Sequence, residues 1–302
     1  MLDIAEQVRR HAAPGAWIID FTNPVGIVTR QLLDAGHRAM GLCNVGIGFQ
    51  RRIAAGFGVE PDRVRLGHAG LNHLSWIRSV RVDGVERLPE LLTGDRLTSF
   101  AQEVDLPAEL LSTLGAIPSY YLHYFYCTDQ ILARQRGGDV RAATVLDLER
   151  ELLTLYQDPA LDELPELLTR RGGAYYSEAA AALVTSLFTG DGGHHYVNVR
   201  NHGTIAGLAD DDVVEVAATV DADGAHPLPV PPLPPEQLGL VQAVTGYEVL
   251  AGEAARTGSR GTALRALIAN PLVRQWDAAR DVLDALIDAH APYLPRFTGP
   301  AR

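Results

Sequence analysis

Cysteine is scarce in this chain. Cys43 and Cys127 are its only two, too few for a disulfide framework, and a reduced, cytoplasmic setting is the expectation. No apolar run approaches the ~20 residues needed to span a bilayer. The opening stretch MLDIAEQVRRHAAPG lacks the basic and apolar regions of a secretion signal. Basic residues are in the minority too, 26 against 37 acidic, for a net charge of -11. That argues against a nucleic-acid or anionic-membrane surface, while leaving room for a local basic pocket that takes an anionic substrate. Neither a low-complexity tract long enough to be disordered nor an internal repeat is present.

What is there is ample apolar material: 302 residues, 47% of them hydrophobic, enough for a sizeable core and about two domains. Leu2 to His11 carries apolar residues at helical spacing and stops at Pro14-Gly15. AWIIDF is a continuous apolar run of strand length, as in a strand covered on both faces. TNPVGIVTRQLLDAG follows as a helix, with Thr22 and Asn23 as cap candidates and Gly36 as the stop. HRAMGLCNV is a second short strand, and GLCNVGIG at its end reads as a turn. Helix, buried strand, helix, buried strand predicts a parallel α/β layer. It lacks the strand and glycine-rich phosphate turn with which a doubly wound domain opens.

After Gln50 the pattern changes. LSWIRSVRVDG predicts a strand running into an Asp-Gly turn. Leu106–Leu114, Ala142–Tyr156 and SEAAAALVTSLFTG read as helices, and HHYVNVRN and VVEVAATVDADG as strands. HPLPVPPLPPEQ predicts an extended surface connection. Gln242–Thr257, Gly261–Ala269 and Trp276–His290 close the chain as helices. The fold class expected is an α/β remnant of a Rossmann-like parallel sheet over residues 1–48, followed by a larger α+β domain over 49–302.

Several residues could carry chemistry. Cys43 and His73 pair a soft thiolate with an imidazole, a donor set that suits a divalent transition metal and leaves coordination positions open. Each is equally at home as a core cysteine or a satisfied histidine. Tyr120, Tyr121, Tyr124 and Tyr126 form either an aromatic stripe on a helix or the setting of a phenolic general base. Asn198, Arg200 and Asn201 suit a sugar or an anion, or belong to a turn with Gly203 at positive φ.

Read together, DFTNPVGIVT, GLCNVGIG, AGLNHLSW, IPSYYLHYFY, RGGAYYS, VNVRNHG, GYEVLAGEAA, ALIANPLV and AHAPYLPRF resemble glycoside hydrolase family four. This family comprises NAD- and metal-dependent 6-phospho-glycosidases, and the resemblance covers essentially the whole chain in order. It implies a C-terminal domain like that of the lactate/malate dehydrogenases. It also implies Cys43 and His73 as ligands of a divalent metal, usually manganese, and Asn23 as a substrate contact. Tyr121 becomes the catalytic base and Arg141 the ligand of the substrate phosphate. Asn44 favours the 6-phospho-β-glucosidase branch, because the α-glucosidase branch carries aspartate after the cysteine.

The implied reaction is a redox elimination, outside the two-carboxylate scheme of most glycosidases. A hydride leaves C3 for NAD, the C2 proton goes to tyrosinate, the leaving group departs, water adds and the hydride returns. The substrate implied is a phosphorylated disaccharide or aryl glucoside, and the assembly a homo-dimer or homo-tetramer. Gly46 stands where the family normally has proline, which reads as a loosened turn. Most of the cofactor domain is expected to be missing, so no cofactor-phosphate residue is assigned. Weak NAD binding and an exposed edge on the first strand are then expected. The α-glucosidase or α-galactosidase branch and a non-catalytic remnant that binds metal or a phosphosugar stand as alternatives.

Overall fold

The computed structural model describes residues 1–138, 140–172 and 175–298. It opens with α1 (Leu2–His11), which lays Ala5 against Leu32 and Ala39. β1 (Ile18–Asp20) takes only the middle of AWIIDF, and α2 (Val25–Asp34) follows a cis Asn23–Pro24 bond. β2 (Ala39–Leu42) is buried throughout, as its apolar run predicts.

The stretch after β2 departs from expectation. GLCNVGIG is not a turn: α3 (Asn44–Phe57) starts directly at Asn44, with Cys43 at its N-cap. Gly46 is therefore the third residue of a helix. A Cβ there would stand 2.5 Å from Cγ of Tyr196 and 2.6 Å from its Cβ, far inside contact distance. Gly46 is a seat for the Tyr196 ring rather than a slack turn.

The remaining strands are β3 (Val64–Leu71), β4 (Leu74–Val82), β5 (Val85–Glu86), β6 (Ile117–Pro118), β7 (Gly193–Arg200), β8 (Val213–Asp221) and β9 (Gly224–Pro227). They join β1 and β2 in one mixed sheet of order β1-β2-β7-β8-β3-β4-β5, with β6 on β4 and β9 on β8. β1 and β2 are parallel, pairing Asp20 with Gly41, and β2 is antiparallel to β7, pairing Gly41 with Asn198. This second pairing ties residues on either side of residue 48 into the same sheet. β1 ends the order with a single partner, so its outer edge carries no strand among the described residues.

Burial follows the pattern of the sequence. α3 sets Val45, Phe49 and Ile53 against Leu66, Ile77 and Ala217. The Tyr176–Thr189 helix sets Ala179 and Leu183 against Met40, Val197 and Val220. The Pro235–Thr257 helix sets Leu240 and Val241 against Val214 and Val216. This last helix begins seven residues before Gln242, where the expected helix starts. Pro234 and Pro235 end the proline-rich segment but also fit an N-cap and first turn, where a missing N–H costs nothing. Arg78 holds that segment on the surface by donating to the carbonyls of Pro231 and Pro232 at 2.7 and 2.9 Å. No described helix is long and apolar enough to cross a membrane.

Candidate active site

The carboxyl ends of parallel strands are where an α/β sheet presents ligands, and β1 and β2 deliver Asn23 and Cys43–Asn44 there. Beside them is a cleft of ≈ 870 Å³. Asn23, Asn44, Tyr121 and Arg141 all line it, so four of the six residues to which the family resemblance assigns a role share one wall. Asn23 donates a side-chain hydrogen bond to the Tyr176 hydroxyl, whose pKa burial pushes up to about 12. Arg141 opens the Arg141–Leu155 helix, and its Nη2 donates to the carbonyls of Arg170 (3.1 Å) and Arg171 (2.8 Å). Arg52 and Arg171 are also on the wall, each paired with a carboxylate, Glu103 and Glu149 respectively. In those contacts the partners of Arg141 are carbonyl oxygens, which leave its charge unneutralised by them. Of RGGAYYS, Gly173 and Ala174 lie outside the described residues.

The tyrosines do not form one helical stripe. Tyr120–Leu122 is a 3₁₀ turn followed by a short helix, His123–Tyr126. Tyr120, Tyr121 and Tyr124 reach the cleft, whereas Tyr126 accepts the indole N–H of Trp76 at 3.3 Å. Burial raises the pKa of both Tyr120 and Tyr121, and their hydrogen bond separates them. Tyr120 donates to Tyr121, which lowers Tyr121 and raises Tyr120, and the Arg141 charge lowers Tyr121 further. Tyr121 is thus the better placed of the two to hold a negative charge.

Cys43 and His73 stand behind this wall. Cys43 is 3% exposed and borders a cavity of ≈ 260 Å³ that also includes His194, His195 and Tyr196. His73 occupies the turn between β3 and β4 and borders another of ≈ 280 Å³, with Asn72, Tyr121 and Glu248. They do not share a wall, and the Cys43 thiol donates to Oδ1 of Asn44 at 3.9 Å. Burial and the nearby Glu215 push the Cys43 thiol up to about 12. Opposing them, the backbone N–H groups of Asn44 and Val45 at the start of α3 and the amide of Asn72 all favour the thiolate. Burial lowers the pKa of His73, which keeps its ring neutral and able to act as a ligand.

This donor set fits a divalent metal with affinity for sulfur and nitrogen. No group of three histidine, cysteine or acidic side chains able to hold a metal occurs among the described residues. Two protein ligands leave the remaining positions to substrate and water. For a nicotinamide cofactor the fit is limited to the ends of β1 and β2, and no residue is assigned to cofactor phosphates.

Asn198, Arg200 and Asn201 serve the fold rather than the cleft. Asn198 donates to Glu215 at 3.0 Å, and Arg200 pairs with Asp34 at 2.6 Å. Asn201 is wholly buried and ties down the loop at Ile205, Leu208 and Ala209, with Gly203 at φ +80° as the turn reading requires. The sequence reading missed Glu215, 1% exposed within the apolar run of β8. Its signal was available: a single acidic letter inside VVEVAATV.

A cleft with three guanidinium groups, phenols and amides, backed by a buried thiol and a neutral imidazole, is the equipment of an enzyme that handles a polar anion. Comparison with known proteins gives the class. The family 4 glycosyl hydrolase model matches residues 1–59, and the model of the family 4 glycosyl hydrolase C-terminal domain matches residues 68–273. The probable 6-phospho-beta-glucosidase of Bacillus subtilis (strain 168) is 38% identical, over 98% of this chain and 70% of the relative. The structure of the 6-phospho-beta glucosidase from Thermotoga maritima with manganese, NAD+ and glucose-6-phosphate matches with a TM-score of 0.85 at 33% identity. It covers 97% of this chain and 70% of that one. The phospho-alpha-glucosidase PagL of Clostridium acetobutylicum is more distant, 25% identical over 97% of this chain and 71% of the relative. The chain belongs to family 4 of the glycosyl hydrolases.

Proposed function

We propose that this chain carries the substrate- and metal-binding part of a 6-phospho-β-glucosidase. The observation that carries the reading is the common cleft of Asn23, Asn44, Tyr121 and Arg141 at the ends of β1 and β2. In this reading Arg141 takes the substrate phosphate with its planar guanidinium, supported by the neighbouring Arg52 and Arg171. Asn23 and Asn44 hydrogen-bond the sugar hydroxyls. Cys43 and His73 hold the divalent metal. When bound, NAD supplies the acceptor for the C3 hydride and the metal supplies Lewis acidity at the C2 and C3 oxygens. Tyr121 takes the C2 proton, and the donated hydrogen bond of Tyr120 with the Arg141 charge stabilises the phenolate that must form first. The β branch is favoured by the amide at Asn44 and by the higher identity of the 6-phospho-β-glucosidases. Residues 1–48 supply the cofactor-facing strand ends and residues 49–302 the rest of the site, in a homo-oligomer.

The test is turnover of paired aryl 6-phospho-α- and β-glucosides by the 302-residue chain with Mn2+ and NAD+, alongside calorimetric binding of glucose 6-phosphate. Preference for the β substrate and phosphate-dependent binding, both lost on removing Mn2+, are expected. Preference for the α substrate, or sugar binding indifferent to the phosphate, refutes the reading.

A further inference from the structure

We propose that Glu215 is a positioning residue that fixes His73 through one intermediary, the side-chain amide of Asn72. The inference rests on the metal-binding reading of Cys43 and His73. Glu215 interrupts the run Val213, Val214, Val216, Ala217 in β8, and in the sheet it stands opposite both Asn198 of β7 and Gly70 of β3. It therefore lies where three strands meet. A carboxylate buried there is tolerable only if its oxygens are satisfied, and they are. Oε1 meets Nε2 of His68 at 2.8 Å, while Oε2 accepts the amides of Asn72 at 2.9 Å and Asn198 at 3.0 Å.

What distinguishes this from ordinary core satisfaction is where Asn72 leads. Its backbone runs directly into His73, whose φ of +64° lies in the left-handed region that a residue with a Cβ seldom adopts. Such a conformation persists when the surroundings over-determine it. The surroundings are visible: Asn72 is anchored on Glu215, and the His73 ring is stacked on Tyr121. The hairpin beneath is tight as well, since a Cβ at Gly70 would lie 2.2 Å from the Leu74 carbonyl oxygen. One carboxylate on β8 thus holds the β3–β4 turn that carries the imidazole.

The test is Mn2+ titration of the 302-residue chain, read by calorimetry and by the electron paramagnetic resonance signal of free Mn2+. The unmodified chain is compared with Glu215→Gln and Asn72→Ala. Glutamine at 215 would turn an N–H2 group toward either His68 or the two asparagine amides, releasing Asn72 and the turn that carries His73. Both variants are expected to lose Mn2+ affinity by about 10–100-fold, the usual effect of removing a partner that orients a ligand. Circular dichroism should show the fold retained in Asn72→Ala, which keeps Glu215 paired with His68 and Asn198. Should Glu215→Gln not fold, Asn72→Ala decides alone. Mn2+ affinity unchanged in Asn72→Ala, or a Glu215→Gln variant that loses stability but not affinity, overturns the inference while leaving the metal reading intact. Failure of the unmodified chain to bind Mn2+ overturns both.

Discussion

The imidazole of His73 stacks on the phenol of Tyr121, with ring centroids 3.8 Å apart and planes inclined by 23°. A candidate metal ligand and the candidate base are thus one packed unit, and the hydroxyl of Tyr121 is aimed by the ring beneath it. Tyr120 also packs on this group, its centroid 4.5 Å from that of Tyr121 and the two planes inclined by 41°.

Tyr121→Phe should keep this packing and remove only the proton acceptor. Exchange of the C2 proton of substrate with solvent is expected to fall by about 10²–10⁴-fold, the usual worth of a positioned general base. Glucose 6-phosphate binding should change little. Deuterium incorporation followed by NMR checks the first and calorimetry the second. Undiminished C2 exchange would assign the base to another group.

Tyr120→Phe tests the hydrogen bond between the two phenols. Donation from Tyr120 stabilises the Tyr121 phenolate and lowers its pKa, so its loss must raise that pKa. The rising limb of the pH–rate profile should move to higher pH, and the rate near neutrality should drop while the alkaline plateau is kept. A profile that loses height at every pH without moving would mean Tyr120 acts by packing alone.

The four residues of the cleft were legible through the family resemblance, and the structure holds each by a local device: a strand end for Asn23, a helix start for Asn44 and Arg141, a turn for Tyr121. The sequence did not carry Glu215 or Asn72, whose roles come from pairings across the sheet between positions 143 residues apart. The helix at Asn44 was hidden by Gly46 and Gly48, which read as turn residues by propensity. Burial of α3 against β3 and β7 overrides that propensity, as tertiary packing commonly does. The early start of the Pro235–Thr257 helix was hidden likewise, because proline in a run signals extended chain until one member of it opens a helix.

Gly46→Ala should improve local helix propensity and yet destabilise the protein. The added methyl would meet the buried Tyr196 ring, which is 5% exposed and held between His68 and His194. Overpacking of this kind costs about 1–3 kcal/mol, more than the ~1 kcal/mol that alanine gains over glycine in a helix. A urea denaturation midpoint lower than that of the unmodified chain is expected. A midpoint raised by the substitution would show that Tyr196 moves freely.

Glu248 is likewise a buried carboxylate. It lies in the Pro235–Thr257 helix, 6% exposed, beside α2: a Cβ on Gly26 would come 2.9 Å from its Oε1. The nearby Arg30 is paired with Asp212 at 2.6 Å, and Oε2 of Glu248 has no hydrogen-bond partner among the described residues. Burial, with Asp212 and Glu215 adding to it against the pull of Arg30, pushes its pKa from 4.5 up to about 8. The folded state therefore binds this proton more tightly than the unfolded chain does. The stability it confers is fully present below pH 4.5 and is lost as pH rises through 8. Across that window the loss is at most about 1.4 kcal/mol per pH unit. Glu248→Gln keeps the shape and removes the titration, so its denaturation midpoint should fall less than that of the unmodified chain between about pH 6 and 9. Parallel pH dependence in the two proteins would place the ionisation elsewhere in the core.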